Sequence, residues 1–462
     1  MTGKDTLSLD NTYRFWRRRL MLSMIIGYAT FYLTRKSFNF VMPVMQNELF
    51  LDKSDIGWIA TAFYLTYGIS KFLSGIFHDI TGYRWFMGVG LVMTGLLNII
   101  FAYCLSFPAL LIVWTLNGFF QGWGWPPCAR ILTHWYSRNE RGFWWGLWNI
   151  SINLGGMLLP LLTALLATQY SWQMALIVPG VIGVIIGLWL CRQLRGTPQE
   201  EQLPSVGQWR QDVLELRQER LSPPMPMLTI LKDAIIFNRM IWLLGFSYIL
   251  VYLIRMAIND WGNLWLTEKH GTNLLSANAT LSLFELGGLL GALCSGWGSD
   301  ILFRGQRAPM ILLFSLGLCV SVSALWLTPI HHYALLAVCF FAIGFFVFGP
   351  QMLIGLAATE YCHKKAAGAV TGYLGLYAYL GAAIAGWPLS QVIAHYGWSG
   401  MFSLLASAAA LMGLLLMPLL IANVSKREHL AGTVSPSDNK TWIKDWKWNW
   451  KLSLRLSLLV YH

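Results

Sequence analysis

Residues 20–41 have the sequence LMLSMIIGYATFYLTRKSFNFV, and residues 241–261 have the sequence IWLLGFSYILVYLIRMAINDW. Both stretches have the length of about 20 apolar residues that a helix needs to cross a bilayer. Each also contains an arginine late in the run, in Tyr32-Leu33-Thr34-Arg35 and in Tyr252-Leu253-Ile254-Arg255. An arginine at bilayer depth costs several kcal/mol unless it faces an aqueous cavity or a partner. The repeated motif therefore indicates two equivalent transmembrane helices whose arginines form a two-armed anion clamp.

Apolar runs of this length recur along the chain. The chain is 56% hydrophobic and 12% charged, whereas an average soluble domain is about 25% charged. The pattern predicts an all-α membrane protein with twelve transmembrane helices, six on each side of a polar segment. The predicted spans are 20–41, 56–77, 85–105, 109–132, 143–167, 172–191, 241–261, 277–297, 309–327, 333–356, 367–394 and 401–424.

The net charge of +12 has an uneven distribution. Basic residues precede the first span and then cluster at every second connection between spans. They are Arg14, Arg17, Arg18 and Arg19, then Arg84, then Arg130, Arg138 and Arg141, then Arg192 and Arg195, then Arg304 and Arg307, then Lys364 and Lys365. This alternation follows the positive-inside rule and predicts that both termini are cytoplasmic. The charge therefore reflects topology and argues against a nucleic-acid site.

The polar segment and the C-terminal end divide the chain further. We expect an N-terminal bundle at 1–192, a cytoplasmic linker at 193–238, a C-terminal bundle at 239–426 and a cytoplasmic tail at 427–462. Trp and Lys residues are mixed in the tail between Trp442 and Lys451, as in an interfacial segment. A disordered tail and a lineage-specific or frame-shifted extension are the alternatives.

A glycine-rich turn follows the second helix of each half. The first runs from Gly75 to Arg84 and includes Asp79, and the second comprises Gly296-Trp297-Gly298-Ser299-Asp300 with Arg304 and Arg307. Both are similar to the signature loop of the major facilitator superfamily. That resemblance implies two pseudo-symmetric six-helix bundles with a site between them at midplane. It also implies a cytoplasmic gate, for which the candidates are Asp79, Arg84, Asp300 and Arg307.

Each arginine of the repeated motif lies sixteen residues after a basic residue at the start of its span. That separation corresponds to about 24 Å of helix. The side chains could snorkel to the outer interface, but their matched positions favour a shared site. The planar guanidinium of arginine binds phosphate oxygens in pairs and stays charged at physiological pH. We therefore expect a phosphorylated solute.

Other residues within the spans could line the same cavity. Lys71 could add a third positive charge or pair with Glu285, and Glu285 could instead balance the clamp, bind a polar substrate group or couple protons. The remaining candidate substrate-binding residues are Tyr28, Tyr32, Tyr67, Trp148, Asn149 and Tyr379. The seven cysteines form no paired metal-ligand spacing. No nucleophile–base constellation appears in the spans, so we expect no cofactor, no metal and no enzyme activity.

Longer motifs resemble the organophosphate:phosphate antiporters of the major facilitator superfamily. The matching stretches are residues 27–39, residues 67–71, Phe120-Gln121-Gly122-Trp123-Gly124-Trp125-Pro126-Pro127-Cys128 and Phe348-Gly349-Pro350-Gln351-Met352-Leu353-Ile354-Gly355. Residues 258–263 and 378–388 look most like the bacterial hexose-phosphate sensor and transporter branch. The resemblance spans about residues 13–426. It implies that Arg35 and Arg255 bind phosphate and that Lys71 and the candidate aromatic residues line the cavity.

The resemblance also implies the function. We expect a monomer in the cell inner membrane that exchanges external sugar phosphate, such as glucose 6-phosphate, for internal inorganic phosphate. Ile152 replaces a histidine of the glycerol-phosphate members, which puts proton coupling in doubt. Ala383 and Trp387 replace an Asp and a Lys of the dedicated hexose-phosphate transporters. The latter change follows the sensor branch, so the alternative is a membrane sensor that signals to a histidine kinase.

Overall fold

A computed structural model of the chain describes residues 3–81, 85–211, 239–303, 306–329, 332–360 and 367–431. Contacts divide the chain into one unit from Met1 to Leu416 and a second from Met417 to His462. Of the second unit, the structure describes only the end of a helix that finishes at Ala431. The domain limits expected at 192, 238 and 426 remain predictions.

Every regular element within the described ranges is helical. The helices are α1 (Gly3–Leu49), α2 (Lys53–Thr81), α3 (Phe86–Ala102), α4 (Phe107–Gln121), α5 (Trp125–Trp135), α6 (Arg138–Gln169), α7 (Met174–Gln193), α8 (Val206–Arg210), α9 (Arg239–His270), α10 (Leu274–Ile301), α11 (Arg307–Leu327), α12 (Tyr333–Glu360), α13 (Ala367–Ile384) and α14 (Trp387–Ala431), with a 3₁₀ turn at Pro198–Glu201.

The twelve predicted spans correspond to these helices in order. Seven described segments have both the length and the hydropathy of a membrane span, and α3 is a shorter apolar helix. Arg35 and Lys36 lower the hydropathy of α1, while Pro126 and Pro127 begin α5 and so divide the fourth span in two. α13 and the first part of α14 form the eleventh span, and the rest of α14 forms the twelfth.

Gly397 separates the last two spans inside α14. Its φ of 66° and ψ of −170° are not helical, and only glycine adopts this conformation without strain. The break lies between residues 394 and 401, where the sequence pattern predicted the connection.

Helix packing repeats between the halves. α1 packs on α6 as α9 packs on α13, and α2 packs on α4 as α10 packs on α12. The halves meet through α1 with α9, α2 with α13 and α6 with α10. This arrangement confirms the predicted pseudo-symmetric bundles. We call the end that holds the α1–α2 and α9–α10 connections the distal end, and the end where α1 begins and α7 finishes the basic end.

The first part of the predicted linker packs against the N-terminal bundle at the basic end. Trp209 of α8 stacks on Tyr13 of α1 with ring centroids 4.2 Å apart, and the Tyr13 hydroxyl donates to the carbonyl of Pro204. The buried Arg17 places Nη2 2.6 Å from Glu140 Oε2. Burial alone would raise the pKa of the Glu140 carboxyl, but Arg17 and Arg210 hold that pKa below its usual range. Residues 194–211 thus form part of this bundle's surface.

Candidate functional site

The structure places Arg35 inside the bundle, with 7% of its surface exposed. Its Nη2 donates to the Tyr67 hydroxyl at 2.9 Å, and its Nε donates to Gln121 Oε1 at 3.3 Å. The guanidinium carbon also lies 4.5 Å from the centroid of the Tyr32 ring and 4.6 Å from that of Tyr67. The cation is therefore held by an amide oxygen, a hydroxyl and two aromatic faces, and it has no carboxylate among these partners.

Arg255 has a matching environment in the other half. It is 6% exposed, and its Nη1 donates to Gln351 Oε1 at 2.9 Å. Its guanidinium carbon lies 4.1 Å from the centroid of the Phe348 ring and 6.0 Å from that of Tyr252. Neutral partners again orient the guanidinium, and the Glu285 carboxylate lies close enough to stabilise its positive charge.

Gln121 and Gln351 repeat the same contact in the two halves. Gln121 ends α4 in the fourth span, and Gln351 follows Pro350 in the tenth. Gln121 Nε2 in turn donates to Thr34 Oγ1 at 3.0 Å. Neither glutamine was among the sequence-based candidates, although each lies within a motif quoted for the resemblance. Their mirrored location in the two halves was the signal that could have identified them.

An aromatic bridge connects the two arginines. The ring centroids of Tyr67 and Tyr379 are 4.3 Å apart, and those of Tyr379 and Tyr252 are 6.3 Å apart. These rings therefore link the surroundings of Arg35 in one half to those of Arg255 in the other. The bridge brings two of the predicted residues, Tyr67 and Tyr379, into one cluster.

Lys71 adds positive charge beside this bridge. Its ammonium lies 4.9 Å from the centroid of the Trp125 ring and 5.5 Å from that of Tyr379. The predicted alternative partner, Glu285, instead accepts a hydrogen bond from Asn259 Nδ2 at 2.9 Å. Of the two possibilities left open by the sequence, the geometry favours the third cation.

Glu285 lies where the halves meet, and 3% of its surface is exposed. Its Oε2 has no hydrogen-bond partner within the described residues. A Cβ at Gly156 of α6 would lie 3.0 Å from the Glu285 Cδ atom, so a larger residue there would require the Glu285 carboxyl to shift. A buried carboxylate with one unsatisfied oxygen can accept a hydrogen bond or a proton from a molecule in the cavity.

Three further aromatic candidates pack on each other. Tyr28 lies 6.0 Å from Tyr32 and 4.9 Å from Trp148 between ring centroids. Trp148 is 1% exposed, and its indole nitrogen has no hydrogen-bond partner within the described residues. Asn149 is exposed and is not part of the contacts that hold the arginines. The structure thus brings Tyr28, Tyr32 and Trp148 together and leaves Asn149 apart.

A buried ion pair joins the two halves on the distal side of the arginines. Lys36 Nζ lies 2.8 Å from Asp260 Oδ1, and the side chains are 8% and 1% exposed. The ammonium also donates to Asn259 Oδ1 at 2.9 Å, and the Tyr64 hydroxyl donates to Asp260 Oδ2 at 2.6 Å. The sequence motifs contained both ionised residues, but nothing in the spacing showed that they face each other.

Further contacts close the distal end between the halves. Lys53 lies 2.7 Å from Glu268, and the rings of Trp58 and Trp387 stack at 4.7 Å. The Trp387 backbone N–H also donates to Thr61 Oγ1 at 2.7 Å. The structure therefore shows a distal-closed conformation.

The predicted gate falls largely on residues that the structure leaves out. Arg84 and the side chains of Asp79 and Asp300 lie outside the described residues. Arg307 Nη1 donates to Ser299 Oγ at 2.6 Å. The gate remains a prediction.

The interior is electropositive. Arg35, Lys36, Lys71 and Arg255 face only two described carboxylates, Asp260 and Glu285. Asp260 pairs with Lys36 and Glu285 stabilises the charge of Arg255, so four cations against two carboxylates leave an excess of two positive charges. Over the described residues, no three His, Cys, Asp or Glu side chains are grouped as a metal site requires. The arrangement is suited to an anion with several acceptor oxygens.

Comparison with known proteins gives a family and close relatives. The sequence model of the Major Facilitator Superfamily matches residues 24–386. The membrane sensor protein UhpC of Escherichia coli strain K12 is 51% identical over 422 residues, which cover 91% of this chain and 96% of that protein. A probable hexose phosphate transport protein of Chlamydia trachomatis is 44% identical, covering 90% and 93% respectively. The hexose-6-phosphate:phosphate antiporter of Salmonella typhimurium is 31% identical, covering 91% and 94%.

Proposed function

The chain belongs to the Major Facilitator Superfamily, and on this premise we propose that it exchanges an external sugar phosphate, such as glucose 6-phosphate, for internal inorganic phosphate. As a member of this family it is a membrane transport protein rather than an enzyme. The relatives named as hexose phosphate transport protein and as hexose-6-phosphate:phosphate antiporter support the substrate and the exchange.

The paired Arg35 and Arg255 environments carry the proposal. Each guanidinium is buried, and a glutamine of its own half orients it. The hydrogen bonds to Gln121, Tyr67 and Gln351 leave other N–H groups of both forks available to phosphate oxygens. A phosphate bound between the halves would contact one arginine from each. Tyr379, Tyr67 and Lys71 would then surround the sugar.

Charge explains why transport would be coupled exchange. The empty cavity holds four cations against two carboxylates among the described residues, and concentrating this excess of positive charge in a low-dielectric interior is unfavourable. A bound phosphate neutralises part of this charge and allows the halves to close around it. Only anion-loaded protein would then reorient, with Lys36 and Asp260 separating whenever the distal end opens.

Topology gives the direction. The positive-inside rule assigns the basic end, with Arg14, Arg18 and Arg192, to the cytoplasm. The distal end would then face outward from the inner membrane, and the structure would represent an inward-facing state. Both termini would lie in the cytoplasm. We propose a monomer, since all of the clamp residues come from a single chain.

Exchange in proteoliposomes tests the proposal. Vesicles loaded with phosphate should take up labelled phosphate, and external glucose 6-phosphate should compete with this uptake. Arg35→Lys and Arg255→Lys should reduce exchange to background, because lysine cannot replace the planar fork. Arg239→Lys, a change to an exposed arginine at the start of α9, is the matched control. Wild-type exchange rates in both clamp variants would exclude the clamp.

The second candidate is a sensor of external hexose phosphate that signals to a histidine kinase. The similarity to the membrane sensor protein UhpC supports it. Ala383 and Trp387 support it as well, because the resemblance places these residues with the sensor branch and not with the dedicated hexose-phosphate transporters. Saturable binding of glucose 6-phosphate without measurable phosphate exchange would favour the sensor.

A further inference from the structure

A groove of about 480 Å³ lies on the outer surface of α1 at its basic end. Successive turns of α1 contribute side chains to this groove. Its lining residues are Asn11, Arg14, Phe15, Arg18, Arg19 and Leu22. This surface faces away from the clamp, and none of these residues belongs to the proposed transport site.

The arginines of the groove keep most of their charge. Arg14 is 65% exposed, and its ion-pair partner among the described residues is the partly exposed Asp10 on its own helix. Arg18 is exposed and forms no hydrogen bond or ion pair among the described residues. Arg19 donates to the neutral Gln193 Oε1 at 2.5 Å. By contrast, Arg17 on the opposite face is buried against Glu140, so it has a structural partner that its neighbours lack.

Apolar side chains continue the groove toward the middle of α1. Phe15, Leu22 and Ile26 are 57%, 60% and 41% exposed. The apolar span begins at Leu20, so Arg18 precedes it by about 3 Å and Arg14 by about 9 Å along the helix axis. The cations are therefore at the depth of lipid headgroups, and the apolar residues are at the depth of the first acyl carbons.

We propose that this groove binds an anionic phospholipid such as phosphatidylglycerol. Arg14 and Arg18 hold the headgroup phosphate, and Leu22 and Ile26 contact the upper part of the acyl chains. The occupant must be both anionic and apolar, because the cationic and apolar parts of the groove are continuous. Free inorganic phosphate has the same anionic chemistry but would leave the apolar part exposed.

Native mass spectrometry of the full chain in detergent tests the site. Phosphatidylglycerol, phosphatidylcholine and inorganic phosphate are titrated separately. Wild type should retain phosphatidylglycerol and release phosphatidylcholine. Each arginine near a membrane surface contributes about fivefold to anionic lipid affinity, so the double variant Arg14→Gln with Arg18→Gln should bind phosphatidylglycerol about 30-fold more weakly.

Arg239→Gln is the matched control, since it removes a single exposed arginine at the start of α9 and should leave lipid retention unchanged. The double variant should still bind glucose 6-phosphate, because the clamp is untouched; this result shows that the variant is folded. Equal retention of phosphatidylglycerol by wild type and the double variant would overturn the proposal. Displacement of phosphatidylglycerol by millimolar inorganic phosphate would also overturn it and assign the groove to a free anion.

Discussion

The charge of the clamp can be cancelled without moving the arginine. Gln351 Oε1 accepts from Arg255 Nη1 at 2.9 Å. In Gln351→Glu, an isosteric carboxylate oxygen takes this place, so the guanidinium keeps its partner and its orientation. The main change is the net charge that a phosphate encounters, because the Tyr252 hydroxyl, which accepts from Gln351 Nε2 at 3.5 Å, can donate to a carboxylate instead. The variant therefore separates the electrostatic role of Arg255 from its position.

The size of the effect follows from geometry. A phosphate oxygen on the far edge of the guanidinium would lie about 7 Å from the new carboxylate oxygen. At an effective dielectric constant of about 20, two unit charges at this separation repel by about 2.4 kcal/mol. Since 1.4 kcal/mol corresponds to a tenfold change, the dissociation constant for inorganic phosphate should rise about 50-fold. A doubly charged phosphate should lose more.

Phosphate binding to purified protein, measured by calorimetry and by ligand-dependent thermal shift, provides the assay. Gln391→Glu is the control of the same residue type, because Gln391 contacts Ser54 and not an arginine. Gln121→Glu should weaken binding in the same direction if both arms hold the phosphate. A Gln351→Glu protein that is equally stable and binds phosphate within threefold of wild type would refute the electrostatic argument.

The other predictions concern the Lys36–Asp260 pair, the packing of α1 on α6 and the Glu140 carboxylate. Lys36→Met removes one member of a buried ion pair that crosses the halves, so the distal-closed state should be destabilised by about 3–5 kcal/mol. A cysteine introduced at Ala60 should then react faster with a membrane-impermeant thiol reagent than the same cysteine does when Lys36 is present. Gly155→Val would place Cβ 2.6 Å from the Tyr32 Cβ atom, so the Tm should fall by an amount equivalent to about 1–3 kcal/mol and exchange should be lost. Because the pKa of Glu140 is lowered in the folded protein, its stabilising contribution should be complete above pH 5 or so and should disappear as the pH falls through the lowered pKa. The difference in Tm between wild type and Glu140→Gln should thus be constant from about pH 8 to 5.5 and vanish in stronger acid; a difference that grows on acidification would contradict this.

Much of the fold was predictable because a membrane leaves strong one-dimensional signals. Apolar length and the alternation of basic connections predicted the twelve spans and their grouping. The burial of Arg35 and Arg255 follows the same reasoning, since each is an isolated cation within an apolar run. Glycine at 397 also lies in the connection that the pattern predicted.

The partners of these cations were harder to predict. Gln121 and Gln351 are uncharged, so burying them in a span costs less free energy than burying a charged residue. Their presence alone therefore does not indicate a functional site. Asp260 was visible as an acid in an apolar run, but which cation it faces depends on the rotation of α1 and α9 about their axes. Helix rotation is set by packing between the halves, and a single sequence does not contain that information directly.

The hydrogen bonds of the two arginines have a consequence for the energy barrier between the two access states. Tyr67 and Gln121 share a half with Arg35, and Gln351 shares a half with Arg255. None of these three bonds crosses the surface along which the halves move, so none must break in the transition state. The Lys36–Asp260 pair does cross that surface. Each guanidinium should therefore keep the orientation set by its own half as the halves move, so both access states present the same two donor forks to a phosphate.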